Sequence, residues 1–143
     1  MARIKLTAPE TLPFSTQIPV RITDLNYGNH LGNDALLRLL HEARVQYLNS
    51  LGASELQFGD GALIMADVAI EYKAECLYGD VLLIDVGACD LHKFGFDVFY
   101  RVTRQRGQDQ QLAALAKTGM ICFDYHQKKI CGLSALMAEK LKA

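Results

Sequence analysis

Between Asp34 and Leu51 apolar residues recur at Leu36, Leu37, Leu39, Leu40, Ala43, Val45, Tyr47, Leu48 and Leu51, a spacing that predicts a helix. The polar remainder is a strip on which Asp34, Arg38 and Glu42 stand four residues apart with alternating charge, so that neighbouring turns attract one another. Asn33 is placed to cap the helix start, Asp34 sits favourably in the first turn, and Gly52 suits the left-handed residue that ends it. The apolar face is wider than the stripe of a helix resting on a surface. The pattern therefore predicts an enclosed helix, wrapped by a sheet or covered by a partner subunit.

Beyond Gly52 the period changes from helical to two. Ile64, Ala66, Val68, Ile70 and Tyr72 alternate with Asp67, Ala69 and Glu71, and Tyr78-Gly79-Asp80 signals a turn. Leu82, Ile84, Val86 and Ala88 continue the alternation to a second turn near His92-Lys93. Phe94, Phe96, Val98, Tyr100 and Val102 form the next face, and Arg106-Gly107-Gln108 turns the chain again. Leu112 to Phe123 is apolar on both faces at several points, which predicts an interior strand. Ahead of the helix, Phe14 to Thr23 reads as a strand whose Pro19 marks an edge or a bulge. Residues 1–13 read as a loosely held arm, and Leu133 to Leu141 as a short terminal helix. Helix and strands are segregated rather than alternating, so the class is α+β. The expected architecture is the hotdog fold, a largely antiparallel sheet of about five strands, four of them in meander-like succession, curled around one long helix.

The chain has 143 residues, half of them hydrophobic, and a formal charge of −1. That is enough to bury a sizeable core, and a single domain spanning 1–143 is expected. Near-neutral charge argues against nucleic acid or an anionic membrane as partner. The apolar runs are too short to span a bilayer, and the N-terminus lacks the apolar core of a signal peptide. Cys76, Cys89, Cys122 and Cys131 are widely spaced, with no C-x-x-C pair. They read as reduced, mostly buried thiols of a cytoplasmic protein. His41 and His92 belong to no metal-ligand spacing, so no metal is expected.

The densest chemistry lies just ahead of the helix. Asp24, Asn26 and His30 fall within a few residues of one another in a loop rich in small and hydrogen-bonding residues. The loop can gather an acid, an amide and an imidazole beside the free N–H groups of a helix start, where negative charge is stabilised.

The stretch Thr23-Asp24-Leu25-Asn26-Tyr27-Gly28-Asn29-His30-Leu31-Gly32-Asn33, with Glu42-Ala43-Arg44 on the following helix, resembles the signature of hotdog thioesterases of the 4-hydroxybenzoyl-CoA thioesterase-like group. That group writes it roughly as S-D-L-D-x-N-x-H-V-N-N followed by E-A-R; its relatives include plant acyl-carrier-protein thioesterases and bacterial acyl-CoA hydrolases. Tyr47-Leu48, Leu51-Gly52, Glu71-Tyr72 and Tyr78-Gly79-Asp80-Val81 fit the same pattern. The resemblance implies hydrolysis of an acyl-CoA or acyl-carrier-protein thioester to free acid and thiol. It implies no cofactor beyond the coenzyme A of the substrate. The broad apolar face of the helix, wider than one curled sheet is expected to cover, predicts a homodimer or tetramer with sites between subunits.

Aligned on His30, the group's catalytic aspartate falls at Asn26 and its loop asparagine at Gly28. An amide cannot take a proton from water, so Asp24 is the candidate base. In an extended segment its side chain would point to the same side as that of Asn26, displaced by about 6.5 Å. Asn26 would orient water or carbonyl, and His30 with the helix-start N–H groups would stabilise developing negative charge. Tyr27, Gly32, Asn33, Asp34 and Glu42 are the expected substrate-binding positions.

Each has a plainer reading: an Asx turn for Asp24 and Asn26, a structural imidazole for His30, helix capping for Gly32 to Asp34, and a salt bridge to Arg38 or Arg44 for Glu42. Asp67 and Glu71 read as solvated. Arg101, Arg104, Arg106, Lys128 and Lys129 can hold coenzyme A phosphates or be ordinary surface charge. Two other classes stay open, a non-catalytic acyl-thioester binding protein and a hotdog hydratase pairing Asp24 with His30.

Overall fold

Alternating strands and an apolar helix each carry a face that water disfavours, and in this chain the two faces close on each other. The computed structural model describes residues 2–142. In chain order the elements are β1 (Phe14–Pro19), a 3-10 turn (Ile22–Asp24), α1 (Asn33–Ser50), β2 (Ala62–Tyr72), β3 (Val81–His92), β4 (Gly95–Arg106), β5 (Asp109–Asp124), β6 (Lys129–Ile130) and α2 (Ala135–Lys142).

The strands form one antiparallel sheet in the order β1-β3-β4-β5-β2, with the two-residue β6 paired to β5. β3, β4 and β5 follow one another as hairpins, as the alternation predicts. β2 does not join that meander. Instead of pairing with β3 it crosses to the far edge and pairs with β5, from Ala62 opposite Phe123 to Tyr72 opposite Ala114. The connection Lys73–Asp80 has no strand of its own and carries the chain back across the end of the sheet. β5 is thereby interior, as its two apolar faces require.

β1 is shorter than expected. After Val20, whose N–H donates to the Asp80 carbonyl at 2.8 Å, the chain turns into the 3-10 segment. The N-terminal arm is irregular yet tethered, for the Leu6 N–H donates to Glu71 Oε1 at 3.0 Å.

Leu36, Leu39, Leu40, Ala43, Tyr47 and Leu48 of α1 are buried in one core with Leu82, Ile84 and Val86 of β3 and Phe96, Val98, Tyr100 and Val102 of β4. Each such side chain contributes about 1.5–3 kcal/mol through burial, so α1 is held by its own subunit's sheet. Only Leu37 is half-buried, and Val45 exposed, among its large apolar residues. On one strand, β2, three large apolar residues are exposed together, Met65, Val68 and Tyr72, with a bulge between Met65 and Asp67.

Polar groups lock the same packing. Arg44 is buried on α1, donating from Nε to Glu55 and from Nη1 to the Tyr100 hydroxyl at 3.0 Å. That hydroxyl also pairs with Thr118 Oγ1 at 2.7 Å. The helix ends as expected at Gly52, in left-handed conformation with φ +75°. Its last turn is braced from α2, where Lys140 Nζ donates to the Leu51 carbonyl at 3.1 Å, a cation at a helix C-terminus. At the other end Gly32, not Asn33, is the capping residue, and no side chain caps the helix. Among the described residues no helix is long and apolar enough to cross a membrane.

Candidate functional site

The loop between the 3-10 turn and α1 is built by its own backbone. Asn26 N–H donates to the His30 carbonyl at 2.8 Å and Asn29 N–H to the Asn26 carbonyl at 3.1 Å, while Leu25 and Leu31 bridge as a minimal ladder. Asn29 takes φ +65°, a conformation asparagine tolerates because its short amide can hydrogen-bond locally. Asn26 Oδ1 accepts from the N–H groups of Gly28 at 2.9 Å and His30 at 3.3 Å, an Asx-type arrangement. Two bonds dock the loop: Leu31 N–H to the Cys76 carbonyl at 2.8 Å, and Gly32 N–H to the Asp24 carbonyl at 3.0 Å. Of the four N–H groups that a helix start leaves without an intrahelical partner, Gly32's is thus occupied, and those of Asn33, Asp34 and Ala35 remain.

Beside this helix start lies a cavity of about 340 Å³. The loop and helix supply Asn26, His30, Leu31, Gly32, Asn33 and Leu36 to its wall. The end of β2 and the connection after it supply Tyr72, Lys73, Ala74, Glu75 and Cys76, and the floor is closed by Val102 and Ala113. The rim is polar and the floor apolar. Tyr72 Oη donates to the Asn33 carbonyl at 3.0 Å, and burial together with nearby Asp34 pushes its phenol pKa up. The Cys76 thiol, buried beside Asp80, is pushed up to about 11, so it is no thiolate at neutral pH. His30 Nε2 lies 3.1 Å from Glu75 Oε2.

Asn26, His30, Gly32 and Asn33 line the cavity; the other sequence candidates do not. Asp24 closes the 3-10 turn rather than continuing an extended segment, which turns its side chain away from the position expected for it. Its Oδ2 accepts from Arg21 N–H at 2.9 Å and Arg21 Nε at 3.3 Å, and the residue is only 3% exposed. The Asp24–His30 pairing that a hydratase reading needs is therefore not formed, since His30 faces Glu75. Tyr27 is fully exposed outside the cavity. Asp34 is exposed and stands 3.6 Å from Arg38 Nη1. Glu42 is exposed and accepts from Gln46 Nε2 at 2.7 Å, while Arg44 is taken by Glu55.

The three arginines considered for phosphate binding are also committed. Arg101 pairs with Asp85, Arg106 with Asp80, and the buried Arg104 with Asp109 and Gln111. Lys128 and Lys129 lie exposed at the turn into β6. Asp67 and Glu71 are paired rather than merely solvated, with Lys117 at 2.8 Å and Lys73 at 2.7 Å. Among the described residues no three His, Cys, Asp or Glu side chains converge as a metal site would need.

Glu75, Tyr72, Lys73 and Cys76 are the polar lining residues that sequence reasoning passed over as chemistry. Tyr72 was visible as a strand end. Glu75 carries no local signal, because it reaches the cavity only through the crossing of β2 to the far edge of the sheet.

The molecule is similar to several solved structures. A 1,4-dihydroxy-2-naphthoyl-CoA thioesterase from Synechocystis is 23% identical with a TM-score of 0.80, the match covering 90% of this chain and 95% of that one. A mutant 4-hydroxybenzoyl-CoA thioesterase complexed with 4-hydroxybenzoyl-CoA is 18% identical with a TM-score of 0.79, covering 90% and 97%. A Staphylococcus aureus protein in complex with CoA is 16% identical with a TM-score of 0.80, covering 90% and 81%. These likenesses establish the hotdog fold. No curated protein sequence is significantly similar to this chain. The family model of the thioesterase-like superfamily matches residues 20–141, and the chain belongs to that superfamily.

Proposed function

We propose that this protein hydrolyses an acyl-coenzyme A thioester to the free acid and the thiol, in the cavity beside the start of α1. One observation carries the reading: an apolar-floored cavity opens at the helix start beside the unpaired Asn33 N–H, in a chain of the thioesterase-like superfamily. A volume of about 340 Å³ lies at the small end of ligand pockets, about 300–1,000 Å³. It suits an acyl group, with the pantetheine arm running outward. Leu36, Val102 and Ala113 would surround the acyl chain, and the N–H of Asn33, on the cavity wall, would receive the oxyanion. Coenzyme A as carrier is favoured over a carrier protein by the ligands of two similar structures, 4-hydroxybenzoyl-CoA and CoA. Coenzyme A enters as part of the substrate, and the reaction needs no other cofactor.

The working form is a homodimer or a tetramer built from dimers, joined through the exposed apolar residues of β2. Four free thiols suit a reducing, cytoplasmic setting. Purified protein assayed with acetyl-, hexanoyl-, palmitoyl- and benzoyl-CoA, with release of free thiol as readout, should turn over at least one of them. Inertness toward all four overturns the proposal.

A second reading has its own support. Asn26 stands where the resembling group has its acid, and Asp24 is held by Arg21. A protein that binds acyl-CoA without cleaving it fits those two facts, and saturable binding of a probe with no thiol released would select it.

A further inference from the structure

We infer that Glu75 is the catalytic carboxylate of this site, taking the proton of the attacking water with the His30 imidazole beside it. The inference rests on the thioester-hydrolase reading above and deepens it.

Hydrolysis at the helix start needs a proton acceptor, and the candidates near it in sequence are engaged elsewhere. Asp24 is buried against Arg21, Asp34 points to Arg38 and Glu42 hydrogen-bonds Gln46. Asn26 has no acidic group, and its Oδ1 already accepts from two backbone N–H groups. The carboxylate that does line the cavity is Glu75. Its backbone is pinned on both sides: Lys73 and Ala74 N–H donate to the Ala113 carbonyl at 2.8 and 3.2 Å, and the Cys76 carbonyl accepts from Leu31 at 2.8 Å. That last bond joins the residue after Glu75 to the residue after His30, so the two side chains are set beside each other by backbone geometry. With Oε2 at 3.1 Å from His30 Nε2, Oε1 is left for water. The Glu75 side chain is 76% exposed and that of His30 38%, so water and substrate can reach both.

In the step, the water oxygen bonds to the thioester carbonyl carbon as its proton passes to Glu75 Oε1. The carbonyl π pair moves onto oxygen, where the Asn33 N–H at the cavity wall stabilises it. Collapse of this adduct restores the carbonyl and breaks the C–S bond. The departing thiolate then takes the proton from Glu75, leaving free acid, free thiol and the original carboxylate.

The test uses whichever of the four acyl-CoA probes the wild-type chain hydrolyses fastest. Glu75→Gln, an isosteric change at an exposed position, should lower kcat by about 100-fold or more, leave KM within about twofold and abolish the fall of kcat/KM toward acid pH. His30→Ala should lower kcat less and keep that acid limb, since the base remains. A Glu75→Gln enzyme within about threefold of wild type, or one that keeps the acid limb while His30→Ala loses it, overturns the role of Glu75 and leaves the hydrolase reading standing. Wild-type inertness toward every probe overturns both.

Discussion

Asp80 ties down the end of the Lys73–Asp80 connection, whose first residues wall the cavity. It is buried and accepts from Arg106 through both oxygens, at 2.8 and 2.8 Å, and from Leu77 N–H at 2.7 Å. The Arg106 guanidinium, more than the Leu77 N–H, holds its carboxyl below the usual carboxylate range. A folded-state pKa below the unfolded one gives stability that is present above the unfolded value, about 3.9 for aspartate, and that is lost as pH falls through the folded value. Asp80→Asn should therefore cost about 1–3 kcal/mol at neutral pH and flatten the acid decline of Tm below about pH 4. Thermal melts of both forms between pH 7 and the acid transition check it. Asp80 was legible only as a turn residue after Gly79. Its ion pair joins residues far apart in sequence, and nothing local announces such a partner. Asn26 and His30 were legible because their surroundings are local: the loop is closed by hydrogen bonds among residues 24–32.

At the scale of elements, α1 is attached to the sheet by oily packing and, in the interior, by the polar chain Glu55–Arg44–Tyr100–Thr118. Truncating Arg44 leaves Tyr100 short of a partner and the partly buried Glu55 without its cation. Arg44→Ala should destabilise the protein by about 3 kcal/mol or more, read as a shift of the urea midpoint. Periodicity alone placed α1 and most of β2 to β5 close to their observed bounds, because each buries one face at its own repeat. The helix start came out one residue early, at Gly32. Its N–H is taken by Asp24 of the preceding turn, so the cap is a backbone contact rather than a side-chain one. Arg44 was read beside Glu42, and the structure gives it to Glu55 beyond the end of the helix.

For the whole molecule the decisive event is the passage of β2 to the outer edge beside β5. That position leaves one side of β2 without a strand partner and exposes Met65, Val68 and Tyr72, the combination that invites pairing with another chain. The protein should elute with at least the mass of a dimer in light-scattering chromatography at micromolar concentration. Met65→Lys with Val68→Lys should shift it toward the monomer while leaving the far-ultraviolet circular dichroism unchanged. A monomeric wild type overturns that expectation. The broad apolar face of α1, which first suggested a partner, is covered by the subunit's own sheet.

By itself the sequence determined the long helix and the main strands, the α+β class, the loop that leads into α1 and the residues clustered there, since all of these follow from burial periodicity and from hydrogen bonds between near neighbours. Only the tertiary structure decided which edge β2 occupies, that Asp24 turns to Arg21, and that Glu75 meets His30 across the cavity. Those outcomes depend on closure between distant segments, and a one-dimensional pattern of polar and apolar residues is nearly the same for several such closures.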